Sequence, residues 1–283
     1  MTLDNISAFI DGSSYAASVC DHAVWAAQRL GAPVVLVHAL GRPDSSSVPA
    51  DLSGNLQLGA RRSLLEKLAQ HDQERAALAV ERGRVLLDDA KARMIAAADI
   101  EVTTRLRRGD PVEAYAEILD STRMALIGKR GEDASGTMAH LGSNLERLVR
   151  ASTRPVMVVS RAFRPVDRFL IAFDGGPSAT RAVQRVCESP LLKGAEAHIL
   201  TAAAGDSGML KAPAERLRAA GFDVREHRTE DGPEEAIAAA VQQHAIGLLV
   251  LGKSGHSRLR QLFIGSTTLE LMRSCPVPVL VFP

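Results

Sequence analysis

The residues best suited to chemistry lie in the second half of the chain. Gly252 and Gly255 are followed, nine residues on, by Gly265, Ser266 and Thr267, where a helical pattern begins. Glycines let the backbone approach phosphates closely. A helix N-terminus adds unpaired N–H groups and the positive end of a dipole. Ser266 and Thr267 add hydroxyl donors. Asp174 closes the apolar run Phe169-Leu170-Ile171-Ala172-Phe173, and its carboxylate could accept from a ribose hydroxyl or help hold a metal ion at the phosphates. The set reads as a cradle for a polyanion.

The first half carries a second, less regular copy. Asp11 closes Ile6–Ile10, and Gly128-x2-Gly131 is followed by ten residues, not nine, before Gly142-Ser143-Asn144. One extra loop residue costs little entropy, yet it can displace phosphate donors enough to weaken a site. Plainer roles exist for each residue. Asp11 and Asp174 could cap the following helices, the glycines could simply make turns, and Ser266 and Thr267 could only start a helix. Lys253, His256, Arg258 and Arg260 form a basic patch that either screens a triphosphate or stays solvated.

Two motif matches are misleading. Gly247–Ser254 fits the Walker A expression, but its middle residues, Leu248-Leu249-Val250-Leu251, read as a strand where a phosphate loop needs a turn. Phe173–Ser178 resembles the ATP-pyrophosphatase loop but lacks its leading serine and its acidic residue. The eight histidines show no HxH, HxxxH or Cys/His spacing, so no metal site is expected from protein ligands alone. His38 and His198 read as partly buried strand histidines. No paired carboxylates, Ser-His-Asp set or activated cysteine can be placed, so no catalytic residue is assigned.

The elements that must position these groups occur twice. A short apolar strand ending in Asp-Gly recurs at Asp11 and Asp174, and Leu-Ile-Gly-Lys at 126–129 is echoed by Val-Leu-Gly-Lys at 250–253. Each half ends on a Pro-Val strand, at 155–159 and 278–281. Domains are expected over 1–160 and 161–283, joined by the short linker 160–167. Strands near 5–10, 33–37, 100–106, 124–127 and 155–159, and again near 168–173, 195–201, 223–228, 248–251 and 277–282, alternate with helical patterns. Such alternation implies right-handed crossovers and two parallel, doubly wound five-stranded sheets flanked by helices, in tandem. Ligands then bind beyond the carboxyl ends of the strands. The first half also carries an inserted helical segment near 57–97, which reads as a long amphipathic helix with no ligand role, the alternative being that it lies across the other domain or a second chain. The last strands are natural edges and should be covered.

Composition narrows the class. The 283 residues are 46% hydrophobic and only 4% aromatic, with a net charge of +1. That balance calls for neither nucleic acid nor an anionic membrane as partner. No apolar run approaches the length of a membrane span. Three widely spaced cysteines and no visible export signal suit a cytoplasmic protein.

The motif Gly252-x2-Gly255-x9-Gly265-Ser266, with Leu-Val-Leu-Gly before it, Pro-Val-Pro-Val-Leu-Val after it and Phe173-Asp174-Gly175 at the domain start, resembles that of the universal stress protein family. The resemblance covers the chain as two tandem domains. It implies strand order 3-2-1-4-5, pairing of the domains through their last strands, and ATP as ligand, with Mg2+ or Mn2+ at its phosphates. It places adenine near Ala172, Thr201 and Leu251, and ribose and phosphates near Asp174, Gly252, Gly255, Gly265, Ser266 and Thr267. Asp11, Gly128, Gly131, Gly142, Ser143 and Asn144 are the counterparts in the first domain. The expected role is an ATP-regulated binding module in stress. A scaffold with degenerate sites and a slow ATPase are the alternatives, and a homodimer is compatible with either.

Overall fold

The computed structural model describes residues 5–41, 58–129, 143–202, 208–253 and 265–283, with backbone only at 58–65 and 143. The first half runs β1 (Asn5–Phe9), α1 (Ala16–Leu30), β2 (Val34–Leu40), α2 (Leu58–Ala97), β3 (Val102–Arg108), α3 (Pro111–Ile118), β4 (Thr122–Gly128), α4 (Ser143–Ala151) and β5 (Val156–Val159). The second runs β6 (Arg168–Ala172), α5 (Pro177–Glu188), β7 (Glu196–Thr201), α6 (Lys211–Ala219), β8 (Val224–Arg228), α7 (Pro233–Gln243), β9 (Leu248–Gly252), α8 (Ser266–Ser274) and β10 (Val279–Phe282).

Local chemistry explains the boundaries. Helices α3, α5 and α7 each start on a proline, whose missing N–H costs nothing in a first turn. Helix α1 stops at Gly31, whose left-handed φ of 60° turns its N–H back onto the Ala27 carbonyl. The inner strands β2, β9 and β10 are runs rich in Val and Leu buried on both faces, as a covered sheet requires, whereas the outer strands β3 and β8 are polar and largely exposed.

Each half has the order 3-2-1-4-5, but the two sheets are one. The ten strands run β3-β2-β1-β4-β5-β10-β9-β6-β7-β8. The halves meet where β5 and β10 pair antiparallel, Val158 opposite Val279, Met157 opposite Leu280 and Val156 opposite Val281. The expected pairing through the last strands is therefore present, and it removes two exposed edges at once. Two buried layers, one on each face of the sheet, run across both halves. The linker joins the packing: Phe163 meets the His22 ring edge-on at 4.9 Å between centroids, and Val166 is buried.

The insertion is a single 40-residue helix, about 60 Å long at 1.5 Å per residue. Its last third packs on the sheet through Leu87, Ala90 and Met94, while Leu78 and Val85 face solvent. Gly83, a weak helix former, is where the helix touches the sheet. A Cβ there would stand 2.8 Å from Leu106 and 2.9 Å from His38.

Candidate functional site

In the second domain the strand order reverses between β6 and β9, whose carboxyl ends lie side by side. This is the crevice in which open α/β sheets hold ligands. Ala172 ends β6, half-buried, and the exposed Asp174 follows it. The Asp174 Oδ1 accepts the Gly176 N–H at 2.8 Å. Gly175, at φ 74°, makes this turn sterically free. The N-cap of α5 is Gly176 itself, so Asp174 pins a turn ahead of the helix and does not cap it. Asp11 does the same in the first domain: its Oδ1 accepts the Ser13 N–H at 3.0 Å, while Tyr15 is the N-cap of α1.

Thr201 ends β7 beside this crevice, and its buried hydroxyl donates to the Met209 sulfur at 3.5 Å. Met209 also touches the Gly175 position. Leu251 is buried in β9. Gly252 has a packing reason of its own. A Cβ there would lie 2.7 Å from the Ser178 carbonyl carbon and 2.8 Å from the Ala179 nitrogen. Only glycine lets the first turn of α5 cross the strand end.

Gly265 is the N-cap of α8, and no side chain caps that end. Its own N–H bonds the Lys253 carbonyl at 3.3 Å. The N–H groups of Ser266, Thr267 and Thr268 are then the first-turn donors that the helix cannot satisfy internally. Ser266 is exposed and Thr267 half-buried. Thr268, not singled out in the sequence, is buried and donates its hydroxyl to the Gly252 carbonyl at 3.3 Å. That bond fastens the helix start to the end of β9. The strand β9 also occupies the middle of the Walker-like run, which disposes of that match.

The first domain repeats the frame. Gly128 ends β4 next to β1, and Ser143 and Asn144 open α4, Asn144 exposed. Gly131, Gly142, Gly255, His256, Arg258 and Arg260 lie outside the described residues.

Lys253 corrects the reading of a solvated or phosphate-screening cation. It is buried, and its Nζ donates to the carbonyls of Arg150 at 2.6 Å and Ser152 at 3.0 Å, at the end of α4 in the other domain. Lys129 reciprocates: also buried, it donates to the carbonyl of Cys275, the C-cap of α8. Each lysine thus neutralises the negative end of the other domain's last helix. Burial pushes both ammonium groups below the usual lysine range.

The model of the universal stress protein family matches residues 2–160 and 202–283. The chain belongs to this family. The universal stress protein Slr1230 of Synechocystis is 30% identical over 99% of this chain and all of that protein. Solved family structures share the full-length fold. One from Archaeoglobus fulgidus has 19% identity and a TM-score of 0.64 over 99% of this chain and 96% of its own. One described as a putative universal stress protein, from Pseudomonas aeruginosa, has 17% identity and a TM-score of 0.59 over 98% and 92%.

A second cluster lies away from the crevice. His198 on β7, His227 on β8 and His244 at the end of α7 offer ring nitrogens all within 4.8 Å of one another. The linear spacings predicted no such grouping. The neighbouring strands carried the signal, because both strand histidines fall on the sheet face that α7 covers. Burial holds the His198 and His227 imidazoles below the usual histidine range. Among the described residues, no helix is long and apolar enough to cross a membrane.

Proposed function

We propose that the second domain binds an adenine nucleotide, ATP, at the β6/β9 switch point, and that occupancy tunes domain packing or partner choice during stress. One observation carries this reading: the uncapped start of α8, Gly252 and Asp174 converge at the carboxyl ends of the two strands where the order reverses. The phosphates lie against the first-turn N–H groups of α8, with Gly255 in the same motif. The base sits toward Ala172, Thr201 and Leu251, with Met209 beside it. The exposed Asp174 carboxylate at the strand end suits Mg2+ or Mn2+ bound through one carboxylate and the phosphates. The first domain, through Asp11, Gly128, Gly131, Gly142, Ser143 and Asn144, binds more weakly. The role is binding, with at most slow hydrolysis. Three free cysteines support a reducing, cytoplasmic setting.

Gly265→Val gives the cleanest test. Gly265 has φ −62° and ψ 146°, an extended conformation that valine adopts without strain. The variant should fold, destabilised by no more than the roughly 1 kcal/mol that a poor N-cap costs, and lose ATP affinity by calorimetry by about tenfold or more, as losing about 1.4 kcal/mol of donor contacts requires. Unchanged affinity would overturn the phosphate assignment. No binding to the wild type at millimolar ATP would overturn the nucleotide reading in favour of a scaffold.

A further inference from the structure

We propose that His198, His227 and His244 form a binding site for one divalent transition-metal ion of the zinc class, separate from the nucleotide crevice. Two strands and a helix build it. His198 and His227 stand on adjacent strands, where His198 pairs with Arg225 and Leu200 with His227, so the two histidines are diagonal neighbours on one face. Leu200 on that face belongs to the buried layer that contains Ala236, Ile237, Ala240 and Val241 of α7. His244, the C-cap of α7, closes the triangle from above.

The three rings crowd closely, with centroids 4.4 to 5.1 Å apart. His198 Nδ1 and His227 Nε2 are 2.8 Å apart. A tetrahedral ion with bonds of 2.0–2.1 Å sets its ligand nitrogens about 3.3 Å apart. The close pair must therefore open by about half an ångström and the third nitrogen must move in, adjustments within reach of χ rotation in the two half-buried rings. Imidazole nitrogens are borderline donors that suit zinc, copper and nickel and not calcium or magnesium. Three histidines leave a fourth position for water or an incoming donor.

Two further features favour a cation here. The other nitrogen of His198, Nε2, is buried with no hydrogen-bond partner, in a residue only 4% exposed. It faces Glu196 Oε1 at 3.7 Å. With Nδ1 on the metal, Nε2 carries the proton and points it at that carboxylate, the arrangement that fixes the tautomer and raises the basicity of a ligating histidine. Glu196 is held in place by Arg168 at 3.1 Å and Arg225 at 2.9 Å. The second feature is the C-terminal end of α7, whose negative dipole end lies at His244.

The position suggests what the ion does. β8 is the outer strand of the ten-stranded sheet. A metal bridging β7, β8 and α7 pins that open edge to its covering helix. His198 lies three residues before Thr201, about 10 Å along the strand, and His227, opposite Leu200, lies on the sheet face away from the Thr201 side chain. Zinc and nucleotide therefore occupy different places.

The test uses the full chain stripped of metal, titrated with Zn2+ against a chromophoric chelator. The wild type should bind one equivalent at this site, with a rise in thermal midpoint. The double variant His227→Ala/His244→Ala removes two half-buried rings and leaves the buried His198 in place. It should keep its far-ultraviolet dichroism and its ATP affinity while Zn2+ affinity falls by more than about 100-fold, beyond the usual effect of losing an outer-shell partner. Equal Zn2+ affinity in the wild type and a folded double variant would overturn the proposal, as would a wild type that takes up no Zn2+. If the double variant fails to fold, His244→Ala alone serves, and an unchanged affinity in that variant overturns the proposal equally.

Discussion

Replacing Lys253 with methionine keeps an apolar stem and removes the ammonium group that joins the two domains. In the wild type that group donates to two carbonyls at the end of α4, at 2.6 and 3.0 Å. A hydrogen bond from a charged donor is worth about 1.5–3 kcal/mol, and a cation at a helix C-terminus adds about 0.3–1 kcal/mol. Burial offsets part of this, since it already pushes the Lys253 ammonium below its ordinary range. The net loss is then about 2 kcal/mol, close to one strong bond. With a urea dependence of about 3 kcal/mol per molar for a large domain pair, the unfolding midpoint falls by about 0.7 M. The measurement is urea unfolding of nucleotide-free protein, followed by circular dichroism. A lysine that served only to screen phosphates would leave this midpoint unchanged and weaken ATP binding alone. That outcome would refute the interdomain assignment.

Other expectations follow from single contacts. Gly252→Ala should destabilise the nucleotide-free protein by about 1–3 kcal/mol in urea unfolding, because its Cβ would meet backbone atoms of α5 that cannot step aside; a neutral variant would refute the close approach. His22 is fully buried with Nδ1 donating to the Ser18 carbonyl at 2.7 Å and Nε2 unpartnered, and burial lowers its proton affinity. Below its ordinary pKa of about 6.5 the unfolded chain takes up a proton that the native ring resists, so stability is lost as pH falls through that window. The wild-type midpoint should drop more steeply from pH 7.5 to 5.5 than that of His22→Leu; equal slopes would refute this. Burial pushes the Cys20 thiol up to about 11, so at pH 8 only about one molecule in a thousand carries the thiolate. Mass spectrometry after alkylation should show half-buried Cys187 labelled first, and Cys20 only after unfolding.

Much of the fold was legible because buried parallel strands write themselves as short apolar runs. The strand ends then located Asp174, Gly252 and Gly265 without any knowledge of long-range contacts. What stayed hidden depends on residues far apart in sequence. Lys253 follows a glycine in a phosphate-like loop, so its local context reads as a ligand contact, yet its acceptors lie 103 and 101 residues earlier. The three histidines come together only through the β7-α6-β8 crossover and the packing of α7, which no local spacing rule encodes. Gly83 lowers helix propensity wherever it stands, and only the packed helix shows Leu106 and His38 filling the space a side chain would take. Asp11 and Asp174 follow the strand ends as the sequence indicates, and each accepts an N–H from within its own turn.

Lys253 also joins the candidate site to the domain interface. Its N–H bonds the Phe282 carbonyl at 2.7 Å, and its carbonyl receives the Gly265 N–H at 3.3 Å. Its side chain meanwhile reaches the other domain. One residue therefore ties the end of β9, the end of β10, the start of α8 and the end of α4. Lys129 makes the mirror contact to the far end of α8. Helix α8 is thus held at its N-terminus by Gly252 and Lys253 and at its C-terminus by the first domain. A ligand that binds differently to two positions of α8 must shift the packing of the domains by the same free energy with which packing shifts its affinity. Under the proposed function, the β5–β10 ladder would keep the domains registered while the Lys129 and Lys253 contacts at the helix ends transmit a shift of α8.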